Sequence, residues 1–91
     1  MRLLIVEDEK KLCDTIAKTL YQAGYEVDTC YDGDEALDYI LAENYDLIVL
    51  DLNLPGTDGM DILKELRKEN EETKVLILSA RSQIVDKLSL I

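Results

Sequence analysis

Three short, uninterrupted apolar runs constrain the fold of this chain more than any other feature. They occupy residues 3–6, 47–50 and 75–78. Such runs are typical of strands that are buried on both faces of a sheet, because a strand with one face in water alternates apolar and polar residues. A weaker, partly alternating run at 25–31 predicts one more strand.

The segments between these runs carry apolar residues at helical spacing. In residues 10–23, Leu12, Ile16 and Leu20 recur every four positions, and Gly24 follows where glycine is favoured after a helix. Asp32 is a predicted N-cap for a second helix, and Thr57 or Asp58 for a third. The residues expected on the inward faces of the helices are Leu12, Cys13, Ile16, Ala17 and Leu20, then Ala36, Leu37, Ile40 and Leu41, then Met60, Leu63 and Leu66, and, in a last helix capped by Ser82, Ile84, Val85 and Leu88.

Strands and helices therefore alternate as βαβαβαβα along 91 residues, which is the length of one small domain. Strands joined by helices of this length form a parallel sheet with right-handed crossovers and helices on both faces. The sequence predicts an α/β fold of this kind.

Charge and composition narrow the functions open to the chain. Its formal net charge is −10, from 20 acidic and 10 basic residues, which argues against direct binding of nucleic acid or of an anionic membrane. There is no histidine, so histidine catalysis and histidine metal ligands are excluded within these residues. The first apolar run is too short for a signal peptide or membrane span, and Cys13 and Cys30 are expected to be buried, reduced thiols of a cytosolic protein.

Acidic residues stand where two of the predicted strands end. Glu7 and Asp8 follow the apolar run at 3–6, and Asp51 follows the run at 47–50, which is the third predicted strand. If those strands are neighbours, three carboxylates meet at the carboxyl edge of the sheet, where open α/β sheets bind their ligands. Mg²⁺ prefers such oxygen ligands, and a metal-held carboxylate can attack phosphorus as a nucleophile. Taken singly, Glu7 and Asp8 also fit a solvated turn that caps the first helix, and Asp51 a residue that caps a turn.

Two more groups fall at the same edge. Ser79, at the end of the fourth predicted strand, adds a hydroxyl donor, and Asn53 offers a backbone carbonyl to a metal ion. Ser79 alone also fits an ordinary loop hydroxyl.

Three motifs, LIVEDE at 4–9, DLIVLDLNLPGTDG at 46–59 and VLILSAR at 75–81, resemble the receiver domain of two-component response regulators, and most closely receivers that precede a winged-helix DNA-binding domain. The resemblance implies a flavodoxin-like, doubly wound sheet with strand order 2-1-3-4. It implies that Asp51 is the phosphoacceptor, and that Glu7, Asp8, Asp51 and the Asn53 main-chain carbonyl hold Mg²⁺. Ser79 matches the hydroxyl that responds to phosphorylation, and the phosphoryl group would come from a histidine of a sensor kinase.

The chain departs from the family after its fourth strand. The fifth strand, with its lysine and aromatic residue, and the fifth helix are absent from the 91 residues, so we expect a receiver domain spanning 1–91 that is truncated at its C-terminus. An exposed fourth strand would favour self-association through that strand or the fourth helix. Loss of the lysine contact is expected to impair phosphorylation while Mg²⁺ binding is retained.

Three alternatives remain open. A phosphatase of the haloacid dehalogenase type would need a nucleophilic Asp after the first strand and a second Asp two positions later, whereas here Asp51 follows the third strand and position 53 is Asn. A flavodoxin-like cofactor binder would need a phosphate loop where Glu7 and Asp8 stand. A truncated receiver that is never phosphorylated would act only by pairing with other receivers. The favoured function is a phosphoacceptor signalling module rather than a turnover enzyme.

Overall fold

The computed structural model describes residues 1–78 and the short strand at 89–90. Along this part of the chain, strands and helices alternate as the sequence predicts. The elements are β1 (Arg2–Val6), α1 (Lys10–Gln22), β2 (Glu26–Cys30), α2 (Gly33–Ala42), β3 (Leu47–Asp51), α3 (Gly59–Glu69), β4 (Lys74–Leu78) and β5 (Ser89–Leu90). Within that part, no helix has the length and apolar character needed to span a membrane.

The sheet has the order β2-β1-β3-β4-β5, and its first four strands are parallel. The predicted order 2-1-3-4 is therefore confirmed. Because β1 lies between β2 and β3, its carboxyl end is adjacent to the end of β3, with Val6 in register with Leu50. This neighbour relationship is what the proposed carboxylate cluster requires.

The apolar runs are uninterrupted because the two faces of the sheet bury alternate residues against different helices. One face packs against α2 and α3 and includes Leu4, Val6, Ile48 and Leu50. On the other face, Ile5 and Val49 of the sheet pack against Cys13 and partly buried residues of α1. At roughly 25 cal/mol per Å² of apolar area removed from water, this two-sided burial is the main stabilising term of the fold.

Three predicted core residues lie outside the core. Leu12, Leu41 and Met60 are 40%, 61% and 45% exposed. Each is adjacent in sequence to the stripe that its helix turns inward, so it lies about 100° around the helix from the buried residues. The inward stripes share the spacing i, i+3, i+4, i+7 and consist of Cys13, Ile16, Ala17 and Leu20; Gly33, Ala36, Leu37 and Ile40; and Gly59, Ile62, Leu63 and Leu66.

The predicted helix ends are largely confirmed. The Asp32 side chain accepts a hydrogen bond from the Glu35 N–H, and the Asp58 side chain accepts one from Met60. Gly24 follows α1 with φ of 102°, a left-handed conformation that favours glycine. The third helix, α3, ends at Glu69, with Asn70 as its C-cap.

The edge of β4 differs from expectation. Ser89 and Leu90 pair antiparallel with Ile77 and Leu76, so part of the edge that we expected to be exposed has backbone partners. The predicted helix after Ser82, with Ile84, Val85 and Leu88, falls on residues outside the described part.

Candidate phosphoacceptor site

The ends of β1 and β3 bring three carboxyl groups together. Glu7 and Asp8 directly follow β1, and Asp51 is the last residue of β3. One carboxylate oxygen of each lies within 4.8 Å of the others. Glu7 and Asp51 are buried, whereas Asp8 is exposed, so the cluster sits in the sheet edge with one side open to solvent.

Glu7 is only 4% exposed, and both its backbone and its side chain make hydrogen bonds. Its N–H donates to the carbonyl of Cys30 at 3.1 Å, and its Oε2 accepts from the N–H of Glu9 at 3.1 Å. Burial, together with the neighbouring carboxyl groups of Asp51 and Asp8, raises the pKa of Glu7 to about 7. The ordinary turn-and-cap interpretation does not fit a buried Glu7, and the N-cap residue Glu9 makes no side-chain cap hydrogen bond.

Asp51 is 2% exposed, and its orientation is set by the loop that follows it. The N–H of Asn53 donates to Asp51 Oδ1 at 3.0 Å, which leaves Oδ2 without this contact. Asp51 does cap a turn, as the simpler interpretation held, but it does so inside a carboxylate cluster. Asn53 itself is exposed.

The three carboxyl groups fit a hard divalent cation. Burial is the main cause of the raised pKa of Glu7, and repulsion between charged oxygens this close adds to it; a cation offsets that repulsion. Mg²⁺ takes oxygen ligands, commonly one or two carboxylates with several waters, and the exposed side at Asp8 leaves room for those waters. Glu7, Asp8 and Asp51 are thus the residues that could hold it.

Sequence reasoning missed how the loop after Asp51 is fixed in place. The N–H of Gly33, at the start of α2, donates to the Pro55 carbonyl at 3.0 Å. Asp34 Oδ1 accepts from both Thr57 Oγ1, at 2.6 Å, and the Thr57 N–H, at 3.2 Å. The polar pair lies 23 residues apart, and no local pattern indicates that the two would meet.

Ser79 lies outside the described residues, so the predicted switch hydroxyl is not placed relative to Asp51. Lys74 begins β4 in register with Leu47, whereas Asp51 is in register with Leu78. Lys74 is therefore at the opposite end of the sheet from the carboxylate cluster.

A cleft of about 100 Å³ opens at the amino ends of the strands, far from the carboxylates, with Tyr45 and Thr73 among its lining residues. Both polar groups are satisfied within the protein. The Tyr45 hydroxyl donates to Asp28 Oδ2 at 2.6 Å, and Thr73 Oγ1 donates to the Tyr45 carbonyl at 3.1 Å. Arg2 also donates to Asp28. These residues therefore form a structural hydrogen-bond network rather than a second candidate site.

Comparison with known proteins gives a consistent result. Residues 3–91 match the family model of the response regulator receiver domain. The chain is 46% identical over 89 residues to the transcriptional regulatory protein DltR of Streptococcus agalactiae, covering 98% of this chain and 40% of that protein. The chain thus spans about two fifths of the length of this curated relative.

Two solved structures are also similar. The response regulator TrrA of Thermotoga maritima, in complex with Mg²⁺–BeF, has a TM-score of 0.82 and 37% identity, covering 96% of this chain and 76% of that chain. TrrA in complex with the histidine kinase ThkA has a TM-score of 0.81 and 37% identity, covering 92% of this chain and 72% of that chain. With its sheet order, its carboxylate cluster and its family match over almost its whole length, the chain belongs to the receiver domains of two-component response regulators.

Proposed function

We propose that Asp51 accepts a phosphoryl group from a histidine of a sensor kinase, in a Mg²⁺-dependent step. The ligands proposed for the ion are Glu7, Asp8, Asp51 and the Asn53 carbonyl. The observation that carries the proposal is the convergence of three carboxylate oxygens within 4.8 Å, two of the three residues being buried. Similar structures that contain Mg²⁺–BeF, or a histidine kinase, support the same assignment.

In the proposed step, a carboxylate oxygen of Asp51 forms a bond to phosphorus as the phosphorus–nitrogen bond of the phosphohistidine breaks. The electron pair of that bond returns to the imidazole nitrogen. The Asn53 N–H fixes one oxygen of Asp51 at 3.0 Å, which orients the other for attack. When bound, Mg²⁺ would offset the negative charge on the phosphoryl oxygens.

The remaining assignments complete a signalling module. Ser79 is the proposed switch hydroxyl, which would contact the phosphoryl group, and residues 1–91 form the receiver unit. By analogy with the regulators it resembles, this unit controls a DNA-binding output domain and is not a turnover enzyme. The alternative of a receiver that acts only by pairing is less favoured, because it gives no role to the carboxylate cluster.

The direct test is to incubate residues 1–91 with Mg²⁺ and acetyl phosphate and to measure the intact mass. We expect partial addition of one phosphoryl group, impaired because residues 1–91 do not include the fifth-strand lysine of the family, and no addition when Mg²⁺ is chelated or in the Asp51→Asn variant. The matched control is Asp46→Asn, which removes a carboxylate just before the opposite end of the same strand, and it should label normally. The proposal would be contradicted if Asp51→Asn were labelled, or if the unsubstituted chain were not labelled.

We also propose that the chain self-associates through β4 or the helix expected after it. Among the described residues, only Leu76 and Ile77 have partners on the outer edge of β4, and unpaired strand edges favour association. Sedimentation at increasing concentration tests this, and a monomer throughout would refute it.

A further inference from the structure

The loop that follows Asp51 is attached to the first turn of α2, not only to its own strand and helix. Three contacts join them: Gly33 N–H to the Pro55 carbonyl, and Thr57 Oγ1 and N–H to Asp34 Oδ1. We call these contacts the α2 latch. None of them involves a carboxylate of the proposed metal site.

Local geometry explains why the latch forms. Gly56 has φ of 79°, which fits the third position of a type II turn with Pro55 at the second. Gly33 is the first residue of α2, so its N–H has no acceptor within the helix, and the Pro55 carbonyl supplies one. A Cβ on Gly33 would lie 1.9 Å from the Thr57 carbonyl oxygen, so glycine is required for this close approach.

The charge of Asp34 strengthens the same attachment. One carboxylate oxygen accepts two hydrogen bonds from Thr57, and bonds to an ionised acceptor are stronger than neutral ones. The carboxylate also packs 3.2 Å from the position that a Cβ on Gly56 would occupy. The Asp34 carboxylate therefore bonds to Thr57 and occupies the space beside Gly56.

The latched loop is the one that shapes the site. It begins with Leu52 and Asn53, and the Asn53 N–H holds Asp51 Oδ1 at 3.0 Å. Fixing the far end of the loop at residues 55–57 reduces the conformations open to Asn53, and ordering backbone is the main entropic cost of building a site. The latch thus bears on the rotamer of Asp51 and on the position of the Asn53 carbonyl.

We propose that Asp34 is a positioning residue for the phosphoacceptor site: through Thr57 it holds the loop in the arrangement in which Asn53 orients Asp51 and faces the metal ion. This proposal rests on the proposed function. Because coupling between sites is reciprocal, occupancy of the site should in turn stabilise the first turn of α2.

The test compares Asp34→Ala, which removes the acceptor, with Asp34→Asn, which retains an oxygen at Oδ1, and with Thr57→Val, which removes only the hydroxyl. Asp38→Asn is the matched control, because Asp38 is exposed on the same helix and its side chain makes no hydrogen bond or ion pair within the described residues. Mg²⁺ affinity by calorimetry, amide hydrogen exchange and thermal unfolding are measured for each variant.

We expect Asp34→Ala to weaken Mg²⁺ binding about tenfold, equivalent to ~1.4 kcal/mol. Thr57→Val should weaken it by less, and Asp34→Asn should recover much of the loss. Asp38→Asn should bind as the unsubstituted chain does, which separates the latch from a change in net charge. In metal-free protein, Asp34→Ala should increase exchange at Asn53 while the β1 amides keep their protection, a local effect that general destabilisation would not produce.

Equal Mg²⁺ affinity in Asp34→Ala and the unsubstituted chain, or unchanged exchange at Asn53, would overturn the proposal. The exchange measurement requires neither metal nor phosphoryl donor. If the unsubstituted chain neither bound Mg²⁺ nor accepted a phosphoryl group, the proposed function would fail, whereas unchanged Asn53 exchange in Asp34→Ala would refute the positioning role alone.

Discussion

Glu7 is predicted to destabilise the metal-free protein at neutral and higher pH. It is 4% exposed and lies beside Asp51 and Asp8, and its pKa rises from 4.5 to about 7. Because the folded state binds the proton more tightly than the unfolded chain, the stability that the protonated Glu7 contributes is complete below about pH 4.5. It is lost as pH rises through about 7 and then stays constant.

The size of the effect follows from the shift. At 1.36 kcal/mol per pKa unit, the charged form of Glu7 costs the folded state about 3 kcal/mol at about pH 8. Glu7→Gln removes that charge and keeps an oxygen to accept the Glu9 N–H. We therefore expect Glu7→Gln to be more stable by about 2 to 3 kcal/mol at about pH 8, and nearly unchanged at about pH 4.5.

Thermal unfolding in the presence of a chelator is the assay. For a domain of this size each kcal/mol shifts Tm by roughly 4–8 °C, so the gain at the higher pH should reach at least about 8 °C. Glu9→Gln is the control, because Glu9 is the exposed neighbour of Glu7, and it should change Tm little at either pH. Added Mg²⁺ should reverse the order, since a ligand that binds only the folded state stabilises by mass action.

The reasoning would be refuted if Glu7→Gln were no more stable than the unsubstituted chain at about pH 8. It would also be refuted by an equal gain at both pH values. Either result would show that Glu7 carries no charge-related cost in the folded state.

Three further substitutions test the packing, each by urea or thermal unfolding. Tyr45→Phe leaves Asp28 without its shortest hydrogen bond, 2.6 Å, and should cost about 1 to 2 kcal/mol; no loss would show that Arg2 alone satisfies Asp28. Gly33→Ala places a Cβ 1.9 Å from the Thr57 carbonyl oxygen and should cost about 3 kcal/mol or more, so a neutral result would contradict the close approach. Leu4→Ala, at a fully buried position, should cost about 2 to 5 kcal/mol; the exposed-site control, Met60→Ala, should stay within about 0.5 kcal/mol.

The sequence by itself determined the order of elements as far as β4, and that the four strands among them form a parallel sheet. The apolar runs at 3–6, 47–50 and 75–78 predict strands because burial on both faces removes the alternation of polar residues. Asp32 and Asp58 predict helix starts because a side-chain oxygen there satisfies a free N–H. These signals are local, so they can be identified without knowledge of the fold.

The inward faces of the helices were predicted less well. Leu12, Leu41 and Met60 are apolar and adjacent to the buried stripes, so sequence periodicity cannot distinguish them from true core residues. Which side of an apolar face is covered depends on where the sheet lies under the helix. That is set by packing and not by the helix itself.

The carboxylate site was likewise predicted only in part from the sequence. That Glu7, Asp8 and Asp51 stand at strand ends is visible in the sequence, but their distance of 4.8 Å or less depends on β1 and β3 being neighbours. The raised pKa of Glu7 and the attachment of Thr57 to Asp34, 23 residues away, likewise exist only in the folded chain. Tertiary structure decided these features because electrostatic and hydrogen-bonding interactions depend on separation in space, which a linear pattern of residues does not specify.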